Sequence, residues 1–193
     1  MPALATERIL GPCEGCAAVF QGRPVTLASQ GRIAPQGAPG DAMRVDGVVR
    51  DAMGKPVAGI IVYAYQTDHT GIYPRPTDSA GRESARHGTY RGFVVTDAEG
   101  RYRFDTIRPA GYPGTEIPEH IHMHVLEPGR CTTYLDDIVF EDDPRLTPRQ
   151  RAGHVRGRGG PGIAQPVKEA GVWKVKRDIV LGQGIANYAE CGR

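Results

Sequence analysis

The run His120-Ile121-His122-Met123-His124-Val125 constrains this chain more than any other stretch. Imidazoles alternate with aliphatic side chains at period two, the pattern of a strand with two different faces. Three imidazoles then share one face, with neighbours about 6.6 Å apart along the strand. Two of them leaning together can reach one metal ion. A lone histidine is ordinarily a satisfied core or surface group, but each further imidazole on one face needs its own buried partner. A metal site is the expectation, against an incidental polar strand face.

The rest of the chain fits a turn-rich β protein. Glycine and proline account for 42 of the 193 residues, with no collagen-like period. Val45–Val49 and Gly59–Tyr65 read as strands, the second apolar enough to be buried on both faces. Tyr90–Thr96 and Arg101–Ile107 flank the turn Asp97-Ala98-Glu99-Gly100 and read as a hairpin. Tyr134–Phe140 follows the histidine strand, and Val172–Leu181 reads as one long closing strand. The basic, Gly-rich stretch from Arg145 to Gly160 lacks interleaved aromatics and reads as a solvated loop rather than a nucleic-acid surface. The expected architecture is mostly β: a β-sandwich domain over residues 44–193, with long loops. An irregular N-terminal arm, residues 1–43, would pack over it or over a neighbouring subunit.

Composition narrows the class. At 39% hydrophobic and 24% charged, the chain is globular, and 193 residues suffice for one real core. A net charge of +2 implies no strong pull toward nucleic acid or membrane. The start Met1–Glu7 has no basic segment followed by an apolar one, and the longest apolar stretch, Val57–Tyr65, is far too short to span a bilayer. A soluble, cytoplasmic protein is expected. Cys13-Glu14-Gly15-Cys16 is a CxxC pair without the second pair a structural zinc would want, so two thiols in the arm or a disulfide is expected.

HxHxH alone fits several metals. Three imidazoles and water would make a zinc site, and two imidazoles with a carboxylate would suit ferrous iron. The neighbouring carboxylate, Glu119, points to the strand face opposite His120. Two tyrosines shift the balance: Tyr112 in a Gly-Tyr-Pro bend just before the strand, and Tyr73 in the long connection Gln66–Thr89. A phenol with pKa about 10 is a poor ligand until a highly charged cation stabilises its phenolate. Such hard oxygen donors match ferric iron better than ferrous iron or zinc.

The stretch from Val45 to Pro144 resembles the intradiol ring-cleavage dioxygenases, of the protocatechuate 3,4-dioxygenase and catechol 1,2-dioxygenase kind. The matching pieces are VVRDAMGKPV (Val48–Val57), QTDHTGIY (Gln66–Tyr73), YRGFVVTDAEGRYRFDTIRPAGY (Tyr90–Tyr112) and His120–His122. The resemblance implies one non-haem Fe(III) per chain held by Tyr73, Tyr112, His120 and His122, with no organic cofactor. Tyr112 would be both an axial ligand and the base. The substrates implied are a catechol and O2, the product is a muconate-type dicarboxylate, and a homo-oligomer is expected.

Two departures bear on the substrate. Ile117 stands where the family usually has an arginine, and Asp137 where a glutamine is expected. As substrate-pocket positions beside the iron, they lose a cation and gain an anion, which disfavours a carboxylated catechol, so a neutral, cationic or bulkier catechol is expected. His124 is not required by the family and reads as a solvent-exposed or supporting side chain. Two other readings compete: a zinc or ferrous enzyme using His120, His122 and His124, and a non-catalytic β-sandwich binding module, suggested by Asp51–Val57.

Overall fold

The computed structural model describes residues 8–11, 15–77, 83–155 and 157–191. Its strands are β1 (Ile9–Leu10), β2 (Gln30–Arg32), β3 (Ala42–Arg50), β4 (Ile61–Gln66), β5 (Arg91–Val95), β6 (Arg101–Ile107) and β7 (His120–Leu126). They continue as β8 (Thr132–Tyr134), β9 (Ile138–Phe140), β10 (Ile163–Ala164), β11 (Val167–Glu169), β12 (Val172–Lys176) and β13 (Ile179–Val180). The helix α1 covers Pro148–Val155, and short 3-10 turns cover Cys16–Phe20, Glu83–Arg86 and Tyr188–Glu190. Among the described residues no helix is long and apolar enough to cross a membrane.

One sheet runs β1-β8-β7-β4-β5, with β9 beside β7 and β10 beside β9. The other runs β11-β12-β3-β6-β2, with β13 beside β3. The two sheets pack face to face as a β-sandwich, as the alternating strands predict. Ile121, Met123 and Val125 of β7 are fully buried between them, with Val62 and Ala64 of β4 alongside and Val45, Val49 and Phe104 opposite. Each large side chain sealed there contributes roughly 1.5–3 kcal/mol. This burial fixes the strand's facing, because a slip by one residue would drive the histidines into the core.

The histidine face of β7 therefore turns away from the sandwich interior. It is roofed by a second cluster in which Tyr63, Tyr65, Val19 and Leu126 meet Phe20, Tyr73 and Phe93. Tyr63 and Tyr65 of β4 stand opposite His124 and His122 in the antiparallel β4–β7 register. β4 is thus buried on both faces, as its composition predicts. The N-terminal stretch reaches both sheets, with β1 parallel to β8 and β2 parallel to β6.

Four stretches differ from the sequence reading. β5 and β6 are not hydrogen-bonded as a hairpin: β5 pairs with β4, and β6 pairs with β3 in the other sheet. Thr96 ends β5 by accepting from Ile60 N and donating to Val57 O, and Asp97–Gly100 then carries the chain across the sandwich. Period-two alternation tells which face is buried and not which strand lies alongside. Tyr134–Phe140 is two strands, broken where Asp136 turns to Arg158 and Asp137 turns to His122. Val172–Leu181 is likewise broken at Arg177, whose buried guanidinium donates to Gly159 O, Asp178 O and Arg158 O. The basic stretch is not wholly loop, since α1 lies within it; Arg151 pairs with Glu141 and Arg158 with Asp136.

Cys131 and Cys191 form a disulfide whose Cα atoms are 5.4 Å apart, closing a small apolar cluster with Leu10. Cys16 is also disulfide-bonded, and Cys13 lies outside the described residues.

Candidate metal centre

Four side-chain atoms from three chain segments converge on one point. Tyr73 Oη lies 2.5 Å from Tyr112 Oη and 2.8 Å from His122 Nε2. Tyr112 Oη lies 3.0 Å from His120 Nε2 and 3.4 Å from His122 Nε2, and the two imidazole nitrogens are 3.2 Å apart. Donors about 2.0–2.2 Å from a common ion stand roughly 2.8–3.6 Å from one another; four of these five separations fall in that range, and the two phenol oxygens stand closer, as a hydrogen-bonded pair does.

Local structure explains the convergence. Asp68 Oδ1 accepts from Thr70 N, Thr70 Oγ1 and Ile72 N, which folds the turn that presents Tyr73. Ala110 N donates to Asp68 O and Thr67 Oγ1 donates to Ala110 O, lashing the Tyr73 turn to the Tyr112 bend. Gly71, at φ +84°, lets the two segments touch: a Cβ there would lie 2.2 Å from Gly111 O. The short approach of the phenols therefore rests on a missing methyl group.

Each imidazole is oriented from behind. His120 Nδ1–H donates to Pro118 O at 2.7 Å, which leaves Nε2 as a lone pair. His122 Nδ1–H donates to Asp137 Oδ1 at 2.9 Å, with the same result, and Tyr134 Oη donates to the same carboxylate oxygen at 2.8 Å. Such carboxylate–histidine pairs set tautomer and ring orientation at metal sites. The Tyr65 ring stacks on His122 at 4.4 Å and on His87 at 3.7 Å, holding the imidazole plane from its flank.

With Nδ1 of each ring engaged behind it, the two Nε2 atoms face the two phenol oxygens. Burial and the bond to Tyr112 push the Tyr73 hydroxyl far above its usual pKa, so it ionises only if a cation stabilises the phenolate. Burial, then the neighbouring His122, lowers His120 below its ordinary value, which keeps it a neutral donor. Burial opposes the charge of Asp137, yet the His122 contact and the bonds around it hold the carboxyl down to about 2. Two phenolates and this carboxylate would together balance three positive charges. The donor set fits a trivalent ion such as ferric iron, and a divalent ion would leave a buried negative charge.

Several sequence expectations are revised here. Asp137 does not face a substrate; it sits behind His122, where it also groups with His120 and His122 as acid and imidazole donors. Ile117 is 44% exposed on the loop before β7 and does not line the cavity that opens onto the phenols. His124 is fully buried, with neither ring nitrogen hydrogen-bonded, and burial drops its pKa to about 3. It packs 4.9 Å from the Tyr134 ring and is neither exposed nor a ligand, so a three-histidine zinc site does not form. Glu119 points away from His120, as expected, and pairs with Arg108. Tyr65 and Tyr134 escaped the sequence reading; the signal for Tyr65 was its place on a strand flanked by the histidine strand.

That cavity encloses about 550 Å³, with Tyr73 and Tyr112 in its lining, Ile72, Ala85 and Pro113 as apolar wall, and Arg75 and Arg86 as the charged members. The anion on which the expected preference for neutral or cationic catechols rested is turned away from it, and two cations line it.

A family model described as Dioxygenase matches residues 26–156. The beta chain of protocatechuate 3,4-dioxygenase from Burkholderia cepacia is 33% identical over 112 residues, which cover 55% of this chain and 48% of the relative. Catechol 1,2-dioxygenase from Candida albicans is 33% identical over 104 residues, covering 46% of this chain and 33% of the relative. The chain thus spans half or less of the length of these curated relatives. Among solved structures, 3-chlorocatechol 1,2-dioxygenase from Rhodococcus opacus 1CP superposes with a TM-score of 0.62 at 19% identity, covering 92% of this chain and 72% of the other. The dioxygenase domain of a carbohydrate-binding fusion protein from Streptomyces sp. SirexAA-E does so with 0.58 at 24%, covering 83% and 94%. At these identities the superpositions speak for the fold.

Proposed function

The chain belongs to the intradiol ring-cleavage dioxygenase family, and from that premise we propose that it holds one ferric ion among Tyr73, Tyr112, His120 and His122 and opens catechol-type rings between the two hydroxylated carbons. One observation carries the reading: two phenol oxygens and two imidazole nitrogens crowd together, with five of their six separations between 2.5 and 3.4 Å. A cation at their centre relieves that crowding.

Bound there, ferric iron would supply Lewis-acid polarisation of a catecholate and a template for its encounter with dioxygen. The chain's own residues do the rest. Tyr112, partly exposed toward the cavity, is the base: its phenolate oxygen takes a proton from a catechol hydroxyl. Tyr73, pinned by the Asp68 turn, stays a fixed donor. His120 and His122 keep their Nε2 lone pairs aimed through Pro118 O and Asp137. Across the reaction one carbon–carbon bond breaks, both dioxygen atoms enter the product, and a muconate-type dicarboxylic acid forms without an external reductant.

The compartment is part of this reading. Disulfides such as Cys131–Cys191 persist in oxidising compartments and are rare in the cytosol, which supports action outside a reducing cytoplasm rather than the cytoplasmic setting first expected. Assembly as a symmetric homo-oligomer belongs to the same proposal.

Metal analysis with a visible spectrum, before and after adding catechol under air, tests it. Expected are one iron per chain, a tyrosinate-to-iron charge-transfer band that shifts on addition, and a ring-opened dicarboxylate. A purified protein that takes up zinc but no iron, or iron without a visible band, overturns it.

A further inference from the structure

Arg75 and Arg86 are the charged side chains lining the cavity beside Tyr73 and Tyr112, among the described residues. Arg75 follows the Tyr73 turn by two residues, and Arg86 ends the 3-10 turn Glu83–Arg86. Among the described residues no carboxylate lines the cavity. Glu83 reaches Arg86 at 3.7 Å in an exposed pair, which offsets part of one charge. Arg75 has no hydrogen-bond or ion-pair partner among the described residues. At about 550 Å³ the cavity has the size of sites for drug-sized ligands, more than a bare catechol fills. Its apolar wall suits a ring, and its guanidinium groups suit a planar anion through forked hydrogen bonds.

We propose that Arg75 and Arg86 are specificity-determining residues that select catechols bearing an anionic substituent, a carboxylate on or near the ring. The inference rests on the ring-cleavage reading above. With the diol at Tyr112, the rest of the ring lies against Ile72 and Pro113, and the substituent projects toward the arginines. This is the reverse of the preference that Ile117 and Asp137 suggest from sequence, because neither of those side chains faces the cavity.

The test compares protocatechuate and 3,4-dihydroxyphenylacetate with their uncharged methyl esters, and with bare catechol, on the iron-loaded protein. Binding is read from the shift of the visible band, and turnover from KM and kcat separately. The acids are expected to bind about tenfold or more tighter than their esters, with the difference in KM and shrinking as salt rises. In the double variant Arg75→Gln/Arg86→Gln the acid-to-ester ratio falls to about one, and each single variant gives an intermediate ratio. A wild-type ratio near one, or a ratio that survives the double substitution, overturns the inference while catechol cleavage stands. A protein that neither binds nor cleaves catechol overturns the ring-cleavage reading, and this inference with it.

Discussion

Replacing Asp137 by asparagine removes one charge and little else. The amide can still accept from His122 Nδ1–H, now 2.9 Å from Oδ1, and from Tyr134 Oη at 2.8 Å. The carboxylate acts on the metal through one imidazole, so the two charges would stand about 7 Å apart. With two phenolates bound, a ferric centre keeps one net positive charge. At an effective dielectric of about 20 their attraction is about 2.4 kcal/mol, or about 60-fold in iron affinity. That lies inside the 10–100-fold range found when partners behind metal ligands are removed. The assay is competition for iron against a chelator of known affinity, with thermal unfolding of the metal-free variant to exclude a folding defect. The tyrosinate-to-iron band should also move to longer wavelength, because the ion has lost an electron-rich neighbour. An iron affinity within twofold of wild type, with the band unmoved, would refute the coupling of Asp137 to the metal.

Three further outcomes are expected. Gly71→Ala puts a methyl group 2.2 Å from Gly111 O at positive φ, so it should cost 1 kcal/mol or more and part the two phenols; loss of the visible band with retained strand content by circular dichroism checks it. Reducing Cys131–Cys191, which closes a 60-residue separation, should cost about 4 kcal/mol in the chain-entropy account, and a loss under 1 kcal/mol on urea unfolding contradicts it. Glu127, whose carboxyl burial raises above 4.5, gives stability that is full at low pH and lost as pH rises through its folded pKa. The Tm of Glu127→Gln relative to wild type should therefore climb between pH 4 and pH 8, and a flat difference counts against the raised carboxyl.

Much of the fold was legible along the chain. β7 announced itself by alternation, and β4 by a β-rich run too apolar for one buried face. Turns such as Asp97–Gly100 marked where strands end. Strand neighbours were not legible: β5 belongs with β4 and not with β6, because partner choice depends on how two sheets divide the strands. The breaks at Asp136–Asp137 and Arg177 were also hidden, since each is made by a side chain whose partner lies far along the chain.

The donor set of the site belongs to the sequence: two imidazoles at i and i+2 need only a strand to share a face, and two tyrosines beside glycines need only turns. What the tertiary structure alone decided is which groups stand behind and in front of them. Asp137 reaches His122 only because the chain bends after β8, and His124 is buried only because Tyr63 and Tyr134 close over it. Arg75 and Arg86, eleven positions apart, share one cavity, where Gly88 and Thr89 pack against Tyr73 and Pro74. Covalent spacing along a strand is set by bond geometry, whereas charge, burial and access are set by what the rest of the chain brings near.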